Sequence, residues 1–380
     1  MSESSTLSTA AQIAAKLIRR QSITPEDGGC QNYIESLLAP LGFVRTSVDT
    51  GGITNSIYRR AGELEGTLAF AGHTDVVPTG PLEDWPHPPF DGVIEAGILH
   101  GRGAQDMKGG VACWIAAVSA LCAEMTPLPT LQLLITSDEE GDSIDGTIRI
   151  VEKMQAEDTL PDAVIVGEPS SSKQVGDVIR RGRRGVVQIA AVFEGKQGHS
   201  AYPQDAVNAV HMAAPVLDRM TQIDWGDAAE GFPPTTCQIT NLQAGTGVMN
   251  VIPGSCAVSI DIRYNPGIDY EGIEQRIFKA CEGAEVILDI QHQAEAFTTP
   301  DCSFLDQVCA SIQRITGIET LRDTGGGTSD GRFLAAAGIP VVELGLTNST
   351  IHQVGECVAT EELTTLTSIY MDIISNFKAE

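Results

Sequence analysis

The chain has 380 residues, 42% hydrophobic and 19% charged, enough for two domains and a substantial core. It carries 50 Asp+Glu against 24 Lys+Arg, a formal net charge of -26, with RRGRR at 180–184 as its basic block. That balance argues against nucleic acid or an anionic membrane as a partner. Nine Cys at irregular spacing form no CxxC pair and no disulfide-like framework, which points to a reducing cytoplasm. MSESSTLST has neither the charge nor the apolar stretch of a secretory signal. No apolar run reaches the roughly 18 residues of a membrane span.

The pattern at Leu7, Ala10, Ile13, Ala14 and Leu17 predicts a helix over 7–17, broken by the Pro25 segment. A second helix is expected over 30–39 and a strand over 43–48. The apolar run Leu68–Ala71 then reads as a buried strand, followed by a loop carrying His73 and Asp75. Open α/β folds put their chemistry at the C-terminal ends of such strands. One reading makes His73 a metal ligand oriented by Asp75; the other makes the two a loop-capping pair.

After a proline-rich loop at 84–90 comes GRGAQDMKGG (101–110), with Asp106 between glycines that allow close backbone approach. An Ala-rich apolar helix is expected over 111–122. A strand at 131–136 ends in Ser137-Asp138-Glu139-Glu140-Gly141, a helix follows at 144–155, and a strand at 163–166 ends in Gly167-Glu168-Pro169. Apolar strands ending in acids with helices between them are the mark of βαβ units, which gather distant residues on one edge of a largely parallel sheet.

The style changes near Gly185. Strand 186–193, helix 205–220 with Val207, Val210, Met212, Ala213 and Leu217 as its buried positions, strands 237–242 and 256–264, helix 273–281 and strand 285–291 describe a small α+β unit. The order suggests a ferredoxin-like sandwich over 187–297. A helix at 304–315 and strands at 318–323 and 340–344 return to the first style. The expected architecture is α/β: a mixed, largely parallel sheet flanked by helices, formed by 1–186 and 298–380 and split by the insert.

His73, Asp106, Glu140, Glu168 and His352 stand out as possible metal ligands, each in a polar or Gly-bounded loop beside an apolar run. Two imidazoles and three carboxylates suit zinc, cobalt or manganese. If Asp106 bridges, each of two ions keeps one His and one carboxylate. The spacing is not compact, so scattered surface acids remain the competing reading. Glu139 and Glu140 are adjacent and cannot point the same way on regular backbone. Glu139 is assigned as general base and acid; a solvated helix start is the alternative.

HTDVVPTG (73–80), GRGAQDMKGG (101–110), TSDEEG (136–141), GEPS (167–170), GRRG (182–185), GKQGHSAYP (195–203), GGTSDGRF (326–333) and ELGLTNSTIHQVGE (343–356) together resemble the M20 family of dinuclear metallohydrolases, in particular its succinyl-diaminopimelate desuccinylase branch. The resemblance implies a zinc-exopeptidase-like catalytic domain with an inserted dimerisation domain. It implies amide hydrolysis of N-succinyl-L,L-2,6-diaminopimelate in lysine and peptidoglycan precursor synthesis. It pairs His73 with Glu168 on one ion and Glu140 with His352 on the other, with Asp106 bridging, Asp75 partnering His73, and Glu139 as the catalytic carboxylate. It further implies a homodimer in which His199 crosses to the other subunit's site to stabilise the tetrahedral oxygen. Arg183, Arg184 and Arg263, with Asn250, are candidates for binding a dicarboxylate, since guanidinium forks fit carboxylates, and Arg263 and Asn250 match the family's anion-binding or substrate-shaping places. Gly327, Thr328 and Ser329 would fit a loop donating hydrogen bonds to one.

Overall fold

A computed structural model describes residues 9–379. By internal contacts the chain divides into two compact units: Gly182–Thr298 with Thr324–Thr328, and the described residues on either side.

The larger unit is built on an eight-stranded sheet. Its order is Val44–Ser47, Ser56–Arg60, Thr130–Thr136, Thr67–His73, Ala163–Val166, Val341–Glu343, Val178–Arg180, Leu321–Asp323. The four strands from Thr130–Thr136 to Val341–Glu343 are parallel. Ser56–Arg60 joins them antiparallel, as Val44–Ser47 joins Ser56–Arg60. The central strands are buried along nearly their whole length, because helices cover them, and so read as apolar runs rather than alternating ones.

Helix Lys108–Ala123 packs against Thr9–Ile18 and Thr360–Asn376 and is apolar nearly all round. Gly110 lets the start of this helix approach the sheet edge: a Cβ there would lie 2.7 Å from the Gly167 carbonyl oxygen. The segment carrying Asp106 is thereby held beside the one carrying Glu168.

The smaller unit has a four-stranded antiparallel sheet in the order Thr236–Ala244, Ser255–Tyr264, Gly185–Glu194, Ile287–Ala294. Alternate residues of Gly185–Glu194 and Ser255–Tyr264 turn inward. Val187, Ile189, Ala191 and Phe193 meet Ala213, Val216 and Leu217 of helix Ala209–Thr221, and Ile273 and Ile277 of helix Tyr270–Ala280, in one core. Strand, helix, two strands, helix, strand with this strand order is the ferredoxin-like arrangement.

Several details differ from the sequence expectation. The strand expected to stop at Ala71 continues to His73, so His73 closes the strand instead of sitting in the loop. The helix expected from 205 starts at Ala209, because the Asn208 side chain accepts from the Val210 and His211 N–H groups and caps it. Val207 therefore precedes the helix and is exposed; Val210 and Met212 are only partly buried, whereas Ala213 and Leu217 are core. Leu7 lies outside the described residues. The small unit begins at Gly182 rather than 187 because Gly182–Arg183 pairs with Phe297–Thr298. Among the described residues no helix is long and apolar enough to cross a membrane.

Candidate metal centre

Parallel register brings three strand ends level. His73 pairs with Thr136, and Ala71 with Val166, so the Ser137–Gly141 loop and Gly167–Glu168 emerge on the edge where His73 sits. Asp106 arrives just before helix Lys108–Ala123, and His352 on the loop after Val341–Glu343.

Five side chains form two groups that share Asp106: His73, Asp106 and Glu168, and Asp106, Glu140 and His352. Asp106 Oδ1 is 3.3 Å from His73 Nε2, and its Oδ2 is 3.4 Å from His352 Nε2. Glu168 Oε1 lies 3.6 Å from His73 Nε2, and Glu140 Oε1 lies 3.1 Å from His352 Nε2. Glu139 belongs to neither group; its Oε2 is 4.0 Å from His73 Nε2.

The charges show what these groups suit. Burial pushes the Glu168 carboxyl well above the ordinary carboxylate range, and Asp106 and Glu139 nearby add to it. Glu139 is also pushed well up, by burial first, with His73 opposing and Asp330, Glu140 and Asp106 adding. Burial works against the Asp106 carboxylate too, but the His352 and His73 hydrogen bonds outweigh it and hold its pKa low. Hydrogen bonds to Asp106 and Glu140 raise His352 to about 10. Burial works to lower the His73 pKa, yet bonding to Asp106 and Asp75 leaves it well raised. Two imidazoles cannot neutralise this crowd of acids, and Glu168 Oε1 is buried without a hydrogen-bond partner. Such a donor set takes divalent cations, which replace the protons the carboxyls would otherwise hold. The two groups are suited to a dinuclear divalent-metal site, and Asp106 is the member they share.

Asp75 works in two directions. The His73 Nδ1 lies 2.9 Å from the Asp75 backbone carbonyl and 3.5 Å from its carboxylate. That carboxylate also accepts from the N–H groups of Glu139, at 3.3 Å, and Glu140, at 3.1 Å. One buried acid thus orients the imidazole and the backbone of both glutamates.

The other expected site residues are less uniform. Ser329 is fully buried and donates its hydroxyl to Glu343, so that hydroxyl serves the fold and is not offered to a ligand. Gly327 and Thr328 belong to the smaller unit. In the same unit the buried Arg183 donates to the Gly325 carbonyl at 2.9 Å. Arg184 Nε is buried without a partner, and burial together with Arg263 lowers its pKa. Arg263 pairs with Asp261 at 2.7 Å. Asn250 is exposed. His199 is exposed, and its Nδ1 accepts from the Ala201 N–H at 3.0 Å, so the neutral ring carries its proton on Nε2.

Sequence reasoning missed the charges beneath the site. Glu356, Arg102 and Lys108 are all buried. Lys108 Nζ donates to the carbonyls of Leu17, at 3.1 Å, and Arg20, at 2.9 Å. The available signal was weak: two cations and an acid inside the segments carrying Asp106 and His352.

A model of peptidase family M20/M25/M40 matches residues 69–376. The succinyl-diaminopimelate desuccinylase of Marinobacter nauticus is 46% identical over 371 residues, 97% of this chain and 98% of that protein. That of Halorhodospira halophila is 42% identical, over 98% of this chain and 99% of its own length. Among solved structures, the M20 family metallo-carboxypeptidase Sso-CP2 from Sulfolobus solfataricus is similar with a TM-score of 0.81, at 18% identity and 99% coverage of both chains. The aminopeptidase PepT from Bacillus cereus is similar with a TM-score of 0.79, at 21% identity and 97% coverage of both. At those identities the structures speak for the fold alone.

Proposed function

The chain belongs to peptidase family M20/M25/M40, and from that membership, the paired metal-binding groups and its desuccinylase relatives we propose its reaction and the residues that perform it. The protein hydrolyses the amide bond of N-succinyl-L,L-2,6-diaminopimelate to succinate and L,L-2,6-diaminopimelate, a step of lysine biosynthesis. The observation that carries the chemistry is the sharing of Asp106 between two His–carboxylate groups with Glu139 beside them.

His73 and Glu168 would hold one ion, Glu140 and His352 the other, with Asp106 shared between them. Zinc is the default metal for this donor set, with cobalt or manganese suited to the same donors. Divalent ions here supply Lewis acidity, polarising the amide carbonyl and lowering the pKa of water. Glu139 takes the proton from the attacking water and passes it to the leaving amine. Asp75 supports that transfer by holding the Glu139 N–H and the His73 ring.

The substrate is a dicarboxylic small molecule, and Arg183, Arg184, Arg263, Asn250, Gly327 and Thr328 bind its anionic ends. The unpartnered Arg184 Nε supports this. The protein works as a cytoplasmic homodimer through its smaller unit. His199 of each subunit offers its Nε2–H to the tetrahedral oxygen at the other subunit's site. Replacing His199 by Ala should lower kcat by about 10²–10³-fold, the usual loss for one oxyanion donor, with dimer and metal content unchanged. Mixing H199A with E139A subunits should restore activity, because one site of each heterodimer is then complete. Unchanged H199A kinetics, or no recovery on mixing, would refute the shared site.

The reaction is tested with a panel of N-succinyl-diaminopimelate, N-acetylornithine and simple dipeptides. The succinyl substrate should lead in kcat/KM by about 10²-fold or more, as for a site built around a charged group. An acetyl preference would instead mark a different N-acyl amino acid deacylase.

A further inference from the structure

We infer that Glu356 is a positioning residue for Asp106 and His352, acting through the backbone without touching ion or substrate; this rests on the two-ion reading above. Glu356 lies four residues beyond His352 in the same loop, and its carboxylate is fully buried. Its Oε1 accepts from the Gln105 N–H at 2.9 Å and the Asp106 N–H at 3.2 Å. Its Oε2 accepts from the Gly103 N–H at 2.9 Å and from Arg102 Nη1 at 2.8 Å. Arg102, itself buried, donates onward to the carbonyls of Gln353, at 3.3 Å, and His352, at 3.4 Å. One carboxylate and one guanidinium therefore tie the amide of Asp106 to the turn that carries His352.

Gln105 adds a second tie. Its Nε2 donates to Thr347 Oγ1 at 3.0 Å, and its Oε1 accepts from the Thr350 N–H at 2.8 Å. Both contacts join the Asp106 segment to the His352 loop without involving a metal-binding atom.

His352 has need of such ties. It sits at φ 59°, in the left-handed region a non-glycine residue avoids, and its side chain is 49% exposed, so packing does not hold the ring. His73 differs: it is fully buried, ends a central strand, and has Asp75 against its ring. Losing Glu356 should therefore weaken the His352–Glu140–Asp106 group and largely spare the other. Outer partners of metal ligands act in this way by fixing ligand geometry.

The test titrates chelator-treated wild type, H352A, E356Q and Q105A with Co²⁺, by calorimetry and by the visible cobalt band. Wild type should take two equivalents, and H352A shows which of them belongs to His352. E356Q should weaken that same equivalent by about 10–100-fold and shift its band, leaving the other near wild-type affinity. Q105A, which strands no buried charge, should show the same selective loss through the second tie, and Glu356→Asp, which keeps the charge but withdraws its oxygens from the Gln105 and Asp106 N–H groups, takes the place of E356Q if that variant does not fold. Wild-type affinities and band in both variants would overturn the proposal. So would equal weakening of both equivalents, which is the signature of general fold support. Fewer than two equivalents in wild type would instead overturn the two-ion reading, and this inference with it.

Discussion

Glu139→Ala is expected to lower kcat by about 10²–10⁴-fold, the range for a lost general acid–base, while the protein still binds two divalent ions. Glu139 stands outside both three-residue groups, although its carboxylate is 4.0 Å from His73 Nε2. Its neighbour Glu140 turns to His352, so on the proposed reading adjacent acids divide the work between proton transfer and metal binding. The Asp75 carboxylate fixes the backbone of both by accepting from their N–H groups. Metal content by elemental analysis and single-turnover rates on the loaded variant test the role together. A fully loaded E139A protein that retains substantial activity would remove Glu139 from the chemistry. A variant that loses an ion would show that Glu139 is a ligand. Glu139→Gln keeps the shape and should be as inactive, since an amide cannot accept the water's proton.

The strand-end logic of the site was legible because a parallel sheet makes it so. Apolar runs ending in His73, in Glu139–Glu140 and in Glu168 needed only parallel pairing to arrive on one edge, and the observed registers supply it. Asp106 was visible through its flanking glycines, and the close approach to the Gly167 carbonyl explains the one at Gly110. The distances among these residues were beyond the sequence, because they depend on a loop that folds back across about 250 residues of chain. Glu356 meets Gly103 across a separation of 253, and nothing local to either residue announces the pairing. Lys108 carries no mark in the sequence of its full burial against the carbonyls of Leu17 and Arg20. Ser329 shows a different limit. A Gly-Thr-Ser loop looks like a donor array, but composition does not say which hydroxyl points inward to Glu343. The late start of helix Ala209–Thr221 was legible in principle, since Asn is a strong cap; helical periodicity through Val207 hid it.

Glu168→Gln is expected to do two opposite things: abolish tight binding at the His73 side of the centre, and stabilise the protein once metal is stripped away. Glu168 Oε1 is buried without a hydrogen-bond partner, and burial with two neighbouring acids holds its carboxyl well above the ordinary range. A raised carboxyl pKa means that the charged form is costlier folded than unfolded. Between the unfolded value, about 4.3, and the higher folded value, the folded chain holds more protons than the unfolded one. Stability of chelator-treated wild type must then fall as pH rises through that window. The neutral amide has no such dependence, so E168Q should lack this part of the decline. At neutral pH the stripped variant should melt a few degrees above stripped wild type. Added Zn²⁺ should raise the wild-type melting temperature strongly, since an ion that binds only the folded state stabilises it by mass action. In E168Q that gain should shrink, because the buried group has lost one of its two carboxylates, and activity should fall with it. Thermal melts from pH 5 to 8, with chelator and with Zn²⁺, read both effects in one set of samples. A stripped E168Q protein no more stable than stripped wild type would mean that the buried charge carries no folding cost. An undiminished Zn²⁺ gain would mean that Glu168 holds no ion. The two effects together would make Glu168 a residue kept for binding against the stability of its own fold, as expected wherever acids are buried to await a cation.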